Sequence, residues 1–321
     1  MVATQTFIRV VEVWVPDADG SLLVLGSAHY GAATRFGATS RDMCFGRGEG
    51  LPGQAWDLGR PVVLKEFAGS AFRRTEVAHA EGLTCGIAMP VYTGEQLRAV
   101  VLIFCGDKPD AAEQQVGAIE LWRNEAAESK DMLLDDGYYG AIANVFEFIS
   151  RRTAFRKGTG LPGLAWESGL PVFMEDLGRG GRFLRADSAQ KVGINRGFAI
   201  PLTAAGDDTY VMAFLSALAT PIVRRFETWL PDTTGTRLQR LEGFCETQGS
   251  LDHGPVDEAI ESGQGTLGQV LASGVPQVGT DAANEPAGVG TAARAAALTA
   301  VVGLPVTGPN GAIAAVVAWY F

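Results

Sequence analysis

The sequence predicts an α+β fold built from three repeats of one antiparallel sheet flanked by helices. A glycine motif with the spacing G-x-G-x-x-G begins at Gly48, again 110 residues later at Gly158, and again 105 residues later at Gly263. Pro61, Pro171 and Pro276 follow the first glycine of each motif at the same distance of 13 residues. Trp14, Trp122 and Trp229 precede it by 34 to 36 residues, and each stands two residues after a glutamate. Self-similarity at the size of a small domain indicates a repeated module.

The first module is predicted to begin with a hairpin and to end with one. FIRVVEVWV and SLLVLGSA alternate as strands around the turn PDADG, and MCFG is a weaker third strand. PGQAWDLG is a short helix that Gly59 ends, PVVLKE is a strand, AFRRTEVAHAEG is a covering helix, and two apolar runs around TGEQ form the last hairpin. The other modules follow this order, with FEFIS in the place of the third strand in the second. We therefore predict domains at 1–108, 109–218 and 219–321.

The glycine spacing is also that of a dinucleotide-binding loop, and Glu66 stands near the position of a ribose-binding acid. That fold needs a buried strand before the glycines and a long crossover helix after them. Here the polar segment TSRDMCFGRG precedes them, and Gly59 and Pro61 stop the helix after about two turns. We therefore reject a nicotinamide enzyme and assign the glycines to a strand-to-helix corner, with Gly53 allowing close packing on the sheet.

Composition excludes several classes of protein. The 26 basic and 36 acidic residues give a net charge of −10, which disfavours binding to nucleic acid. Four cysteines form neither a CxxC nor a zinc-binding spacing, so we predict a reduced, cytoplasmic chain without a metal or other cofactor. The N-terminus lacks the pattern of a signal peptide, and no apolar run has the length of a membrane span.

The motif residues resemble the GAF family of regulatory domains. The resemblance rests on GEGLPGQAWDLGRPVV with AFRR and IAMPV, and on GTGLPGLAWESGLPVF with FLR and AIPL. The third repeat departs from the pattern, since Leu271 replaces the tryptophan and no F-x-R is present. The resemblance implies a PAS-like sheet with a ligand cavity under its helices, and a non-catalytic sensor that passes its signal to an effector.

Candidate pocket residues follow from the resemblance and from their positions on the elements that should cover the cavity: Trp56, Phe72, His79, Cys85, Trp166, Phe183 and Arg185. For both tryptophans, packing is the favoured role. For His79, a structural role is favoured, because neither of the other two repeats has a histidine at this position. The arginines that begin the covering helix, Arg73, Arg74, Arg182 and Arg185, could meet an anion, but a solvated position is favoured.

The sequence therefore predicts a regulatory protein that binds a small molecule, a protein effector on another chain, or both, and a second copy of the chain is a further candidate partner. Two alternatives stay open. One is a scaffold whose pockets are filled, and the other is a redox enzyme similar to the methionine sulfoxide reductases of this family, using Cys44 and Cys85 in one cavity. We expect any small-molecule site in the first or second repeat, and contacts with other domains or chains in the third.

Overall fold

The computed structural model describes residues 5–106, 115–140, 142–251, 258–308 and 310–321. It contains three antiparallel sheets with helices over one face of each, so the predicted α+β class is confirmed. We call the segments that carry these sheets units one, two and three. The boundary predicted near residue 108 lies outside the described residues, and the domain limits stay a prediction.

Unit one has strands in the order β3-β2-β1-β6-β5-β4. Its elements are β1 (Ile8–Pro16), β2 (Leu22–His29), α1 (Thr34–Arg41), β3 (Cys44–Gly46), α2 (Gly50–Leu58), β4 (Val62–Leu64), α3 (Thr75–Ala80), β5 (Cys85–Thr93) and β6 (Gln96–Cys105).

Unit two repeats this topology in the order β9-β8-β7-β12-β11-β10. Its elements are β7 (Val116–Asn124), β8 (Asp131–Gly140), a π-helical turn (Ala143–Glu147) that continues into α4 (Phe148–Ser150), β9 (Ala154–Arg156), α5 (Gly160–Ser168), β10 (Val172–Met174), α6 (Ala186–Lys191), β11 (Ile194–Leu202) and β12 (Thr209–Ala217).

Unit three has the order β15-β14-β13-β19-β18-β17, with β16 pairing to β14. Its elements are β13 (Arg225–Pro231), β14 (Arg237–Cys245), β15 (Gly249–Leu251), β16 (Ile260–Glu261), α7 (Gly265–Ser273), β17 (Gln277–Gly279), a 3-10 turn (Ala282–Asn284), α8 (Ala287–Ala295), β18 (Val301–Thr307) and β19 (Ile313–Tyr320).

The glycine motif forms the same corner in all three units. A Cβ atom added to Gly53, Gly163 or Gly268 would lie 2.1–2.2 Å from a backbone carbonyl oxygen of the preceding strand. Only glycine allows the short helices α2, α5 and α7 to approach the sheet this closely. The antiparallel sheets and short helices exclude the dinucleotide-binding fold at these glycines.

The covering helix predicted over residues 71–82 is shorter in the structure, Thr75–Ala80. Two other helical segments also differ from the sequence prediction. Helix α1 was not predicted, because Gly37 and several Ser and Thr residues give it a weak helical pattern. FEFIS, residues 146–150, was predicted as a strand but is helical, and the third strand of unit two is β9 instead. Tertiary contacts hold α1, since the Ser40 hydroxyl receives a hydrogen bond from Arg74 and the Arg35 backbone N–H donates to Glu81.

The two faces of each sheet pack in different ways. One face lies under the unit's own helices and forms a separate core there. The opposite faces of all three sheets meet in one shared hydrophobic cluster, which includes Ile87 and Ile103, Phe198 and Phe214, and Val302 and Trp319. Phe198 of unit two stacks on Phe226 of unit three, with ring centroids 5.0 Å apart. The three units therefore share their largest core.

Contacts at the sheet edges close the units into a ring. Lys65, beside β4, binds Asp136 of β8 with an Nζ–Oδ1 distance of 2.7 Å. Phe173 of β10 packs on Phe226 and on Phe244 of β14, at 4.9 and 5.6 Å. The third contact joins β17 of unit three to β2 of unit one, where the Val278 N–H donates to Ser27 Oγ at 3.1 Å. Each contact joins one edge of a sheet (β4, β10 or β17) to a strand near the opposite edge of another sheet (β8, β14 or β2), and three such head-to-tail contacts close the ring.

Candidate functional site

The most polar buried feature of unit one lies between the sheet and its helices, where the family resemblance places a ligand cavity. Glu12 points from β1 toward this side and is fully buried. Its carboxylate accepts a hydrogen bond from Trp14 Nε1 at 3.0 Å and one from the Tyr30 hydroxyl at 3.1 Å. Burial and the adjacent Glu12 charge raise the pKa of Tyr30, so its hydroxyl stays protonated as a donor.

Arg74 fills the space above this carboxylate. Its guanidinium binds Glu12 in a bidentate manner, with Nη1–Oε1 at 2.6 Å and Nη2–Oε2 at 2.9 Å, and it also donates to Ser40. The Cζ atom lies 4.2 Å from the Phe36 ring centroid, 5.3 Å from Phe104 and 5.4 Å from Phe72. The ion pair is thus enclosed by aromatic rings at cation–π distance.

Unit two builds the same cluster from equivalent residues. Arg185 binds Glu120, with Nη2–Oε2 at 2.8 Å, and Ser150 donates to the same carboxylate. Trp122 and Tyr139 hold Glu120 as Trp14 and Tyr30 hold Glu12. Four rings surround the guanidinium at 4.9–5.6 Å from Cζ, those of Trp122, Phe146, Phe155 and Phe183.

Unit three keeps the carboxylate and changes the source of the cation. Glu227 accepts from Trp229 Nε1 at 3.1 Å and from the Tyr320 hydroxyl. Its charge is balanced by Arg225 and Arg240. These arginines lie on the strands β13 and β14, whereas Arg74 and Arg185 lie in the covering segment, which directly precedes α3 or α6. The loss of F-x-R from the third repeat is therefore compensated from within the sheet.

The clusters of units one and two each pair one carboxylate with one guanidinium, and all three clusters are held by side chains of their own unit. The recurring Glu-x-Trp of the sequence was the pattern that could have identified them, because a charged residue at an inward strand position needs a buried partner. Sequence reasoning aligned these glutamates but assigned them no role, and it did not single out Tyr30, Ser40 or their counterparts.

Three of the predicted pocket residues lie in the buried clusters, two of them in the same cluster, and the other predicted residues lie outside them. Phe72 lies in the cluster of unit one, and Phe183 and Arg185 lie in that of unit two. Trp56 and Trp166 are half-buried and pack against the helix-side cores. His79 is exposed on α3.

Two expectations are corrected. Arg74 and Arg185 are not solvated, because each is paired with a buried glutamate and is at most 3% exposed; Arg73 and Arg182 are exposed as expected. Cys44 and Cys85 do not face one cavity, because Cys44 is exposed on β3 whereas Cys85 lies in the core shared by the three sheets. Burial raises the pKa of the Cys85 thiol, which makes it a poor nucleophile.

The described cavities within the protein lie between units. One of about 20 Å³ is lined by Phe173, Arg196, Phe226, Phe244 and Glu246 of units two and three. Another of about 30 Å³ lies where Pro90, Pro201 and Pro305 meet. These two have room for no more than a few water molecules. A larger cleft of about 440 Å³ opens on the surface, between Asp17, Gln96 and Arg98 of unit one and Val275 of unit three.

No group of three or more His, Cys, Asp or Glu side chains that could hold a metal ion is present in residues 5–106, 115–140, 142–251, 258–308 and 310–321. Within the same part of the chain, no helix has both the length and the apolar character needed to cross a membrane.

The family model described as GAF domain matches residues 3–127. The chain is also similar to solved structures, each match covering about a third of it. The GAF domain of nlh2 from A. aeolicus is 25% identical over 31% of this chain and 58% of its own length, with a TM-score of 0.25. A mutated NreA protein from Staphylococcus aureus is 15% identical over 34% of this chain and 78% of its own, with a TM-score of 0.27.

A third similar structure is the free methionine-R-sulfoxide reductase from Neisseria meningitidis in complex with its substrate. It is 18% identical over 32% of this chain and 56% of its own length, with a TM-score of 0.25. The chain thus spans between half and two thirds of the first and third of these structures. No curated protein matches the sequence.

Proposed function

We propose that this chain, which matches a GAF domain in residues 3–127 and carries a GAF-like sheet in each of its three units, is a non-catalytic regulatory protein that acts through contact with another protein. The proposal rests on one observation, the occupation of the space under the helices by the chain's own ion pairs. A small-molecule sensor needs an open cavity with a few polar groups free to orient its ligand. Here the glutamate, arginine, tyrosine and serine of each cluster in units one and two bind one another.

The rigid assembly of the units supports the same proposal. The shared hydrophobic core and the edge contacts bury the sheet faces through which separate domains would otherwise move. A body of this kind presents a fixed outer surface, and a partner chain would carry the output. We propose that the protein acts in the cytoplasm, in keeping with its free thiols.

The redox alternative has little geometric support. A reductase of this type would need two thiols that reach each other. Cys44 is exposed on the edge strand β3, whereas Cys85 is buried on β5, four strands away in the sheet. The similar reductase structure has too low a TM-score to argue for that activity in this chain.

The proposal can be tested on the full chain by native mass measurement and absorbance spectroscopy after purification. We expect the mass of the unliganded polypeptide, or twice that mass if a second copy is the partner, and no absorbance in the visible range. A denatured sample supplies the reference mass. A stoichiometric small molecule that leaves on denaturation would contradict the proposal and favour a ligand sensor.

A further inference from the structure

The clusters of units one and two have the composition of a receptor for a planar cation. Each presents a carboxylate in a ring of aromatic side chains, with a serine hydroxyl beside it. Such an arrangement binds a guanidinium group by a bidentate ion pair and by cation–π contact. In this structure the group bound there is the side chain of Arg74 or Arg185.

The receptor and the arginine come from different parts of each unit. In unit two, Glu120 and Trp122 lie on β7, Tyr139 on β8, and Phe146 and Ser150 in the helical segment that follows. Arg185 comes from the segment between β10 and α6, 65 residues along the chain from Glu120. Glu120 is also held by Trp122 and Tyr139, so its position does not depend on the arginine. The site is therefore preorganised.

The segment that delivers Arg185 has few attachments. Residues 178–182 are exposed and contain Gly178, Gly180 and Gly181, and the latter two have positive φ angles of 77° and 63°. Leu177, Phe183 and Arg185 are its buried residues. A glycine-rich segment that is anchored by three side chains behaves as a tether that carries a ligand to a separate site.

The fit of the internal arginine is incomplete in both units. The Nε atoms of Arg74 and Arg185 are buried and have no hydrogen-bond partner among the residues that the structure describes. The receptor binds the two terminal nitrogens of the guanidinium and leaves the substituted nitrogen unsatisfied. A buried N–H without a partner lowers the stability of the closed state.

From these observations we propose that units one and two each contain a binding site for a guanidinium-bearing ligand, which the chain's own F-x-R arginine occupies in the closed state. Release of the covering segment would open the site to a free guanidinium compound or to an arginine side chain of a partner. The proposal deepens the proposed function, because it gives the filled pockets a ligand class. Unit three is excluded, since its cations lie on the sheet itself.

The test is chemical rescue of Arg185→Ala in the full chain. The neighbouring residue in unit two is Leu184, whereas in unit one Arg73 could replace Arg74, so unit two gives the cleaner result. The variant is refolded with and without millimolar methylguanidinium, and its melting temperature is measured. We expect the substitution to lower the melting temperature. Added methylguanidinium should raise it again by several degrees and reach a plateau when the site is saturated, because a ligand that binds the native state stabilises that state.

The controls distinguish the site from a general salt effect. The wild-type chain, the double variant Glu120→Gln with Arg185→Ala, and methylammonium in place of methylguanidinium are each expected to show no such rise. A blocked-terminus arginine peptide is then compared with methylguanidinium to distinguish a protein-borne arginine from a free compound. Rescue by either ligand supports the proposal.

An Arg185→Ala chain that gains no stability from either ligand, or that stays unfolded in their presence, would overturn the proposal. Arg74→Ala repeats the test in unit one. Failure of rescue would leave the proposed function standing, since filled pockets need not be receptors. A co-purifying small molecule in the wild-type protein would contradict the proposed function without affecting the outcome of rescue.

Discussion

A single carboxylate organises the interior of each unit. Glu12, Glu120 and Glu227 occupy equivalent strand positions, and each binds a tryptophan two residues later and at least one arginine. Burial of a charge is costly unless it is paired, and removal of one partner leaves the other uncompensated. Each pair therefore contributes to the stability of the fold only while both of its residues are present.

Substitution Glu12→Gln should destabilise the protein by about 3–5 kcal/mol, because it leaves the Arg74 guanidinium buried without a counter-charge. Denaturant titration of the full chain measures the change in the free energy of unfolding. The matched control is Glu49→Gln, whose exposed pair with Arg73 should contribute about 1 kcal/mol or less. Equal effects of the two substitutions would refute a structural role for the buried pair.

His29 should make stability depend on pH. Its imidazole is stacked on Phe321 at 4.6 Å, and burial lowers its pKa. The unfolded chain then binds a proton that the folded chain does not, so stability is full above the ordinary imidazole pKa and is lost as pH falls below it. The loss from this group should reach at most about 1.4 kcal/mol per pH unit.

The free energy of unfolding is measured for His29→Phe and for wild type between neutral and mildly acidic pH. The loss of stability with falling pH should be smaller in His29→Phe, because the contribution of His29 is removed. His79→Gln, which changes an exposed histidine, should keep it. An unchanged slope in His29→Phe would assign the pH dependence to other groups.

At the scale of elements, close packing on the sheet restricts the sequence of the short helix that follows the glycine corner. Helices α2, α5 and α7 have the same length, begin at the second glycine of the motif, and end at a left-handed glycine. The third glycine faces a carbonyl oxygen of the strand before it. Close packing, and not helix propensity, determines that residue.

Gly53→Ala should therefore destabilise the protein, although alanine is the better helix former by about 1 kcal/mol. The added Cβ would lie 2.1 Å from the Gly46 carbonyl oxygen, so helix or strand must move. Thermal unfolding measures the effect, and Leu58→Ala at an exposed position of the same helix should change little. A stabilised Gly53→Ala protein would contradict the packing role of this glycine.

The elements also show what sequence could and could not predict. Periodicity and turn residues predicted the hairpins, the corner and the covering helix, because those depend on local spacing. Helix α1 and the FEFIS segment were missed, since contacts with Arg74, Glu81 and Arg185 hold them. The aligned glutamates were visible in the sequence, but only the fold places Glu12 beside Arg74, which is 62 residues away.

The arrangement of the whole molecule could not be predicted from one repeat. Strands such as β5, β11 and β18 are apolar on both faces, which indicates burial on both sides but does not identify the second partner. In the structure, that partner is the corresponding face of the other two sheets. The head-to-tail contacts and the common core make the units one cooperative body, in which separate expression of 1–218 and 219–321 would expose the core.

Native-state hydrogen exchange of the full chain, read by mass spectrometry, tests this cooperative assembly most directly. Amides in the central strands β1, β7 and β13 should exchange with one common free energy of opening, because loss of one sheet removes a wall of the core on which the other two depend. Three clearly different opening free energies, one for each unit, would contradict a shared core and show three independently folded domains.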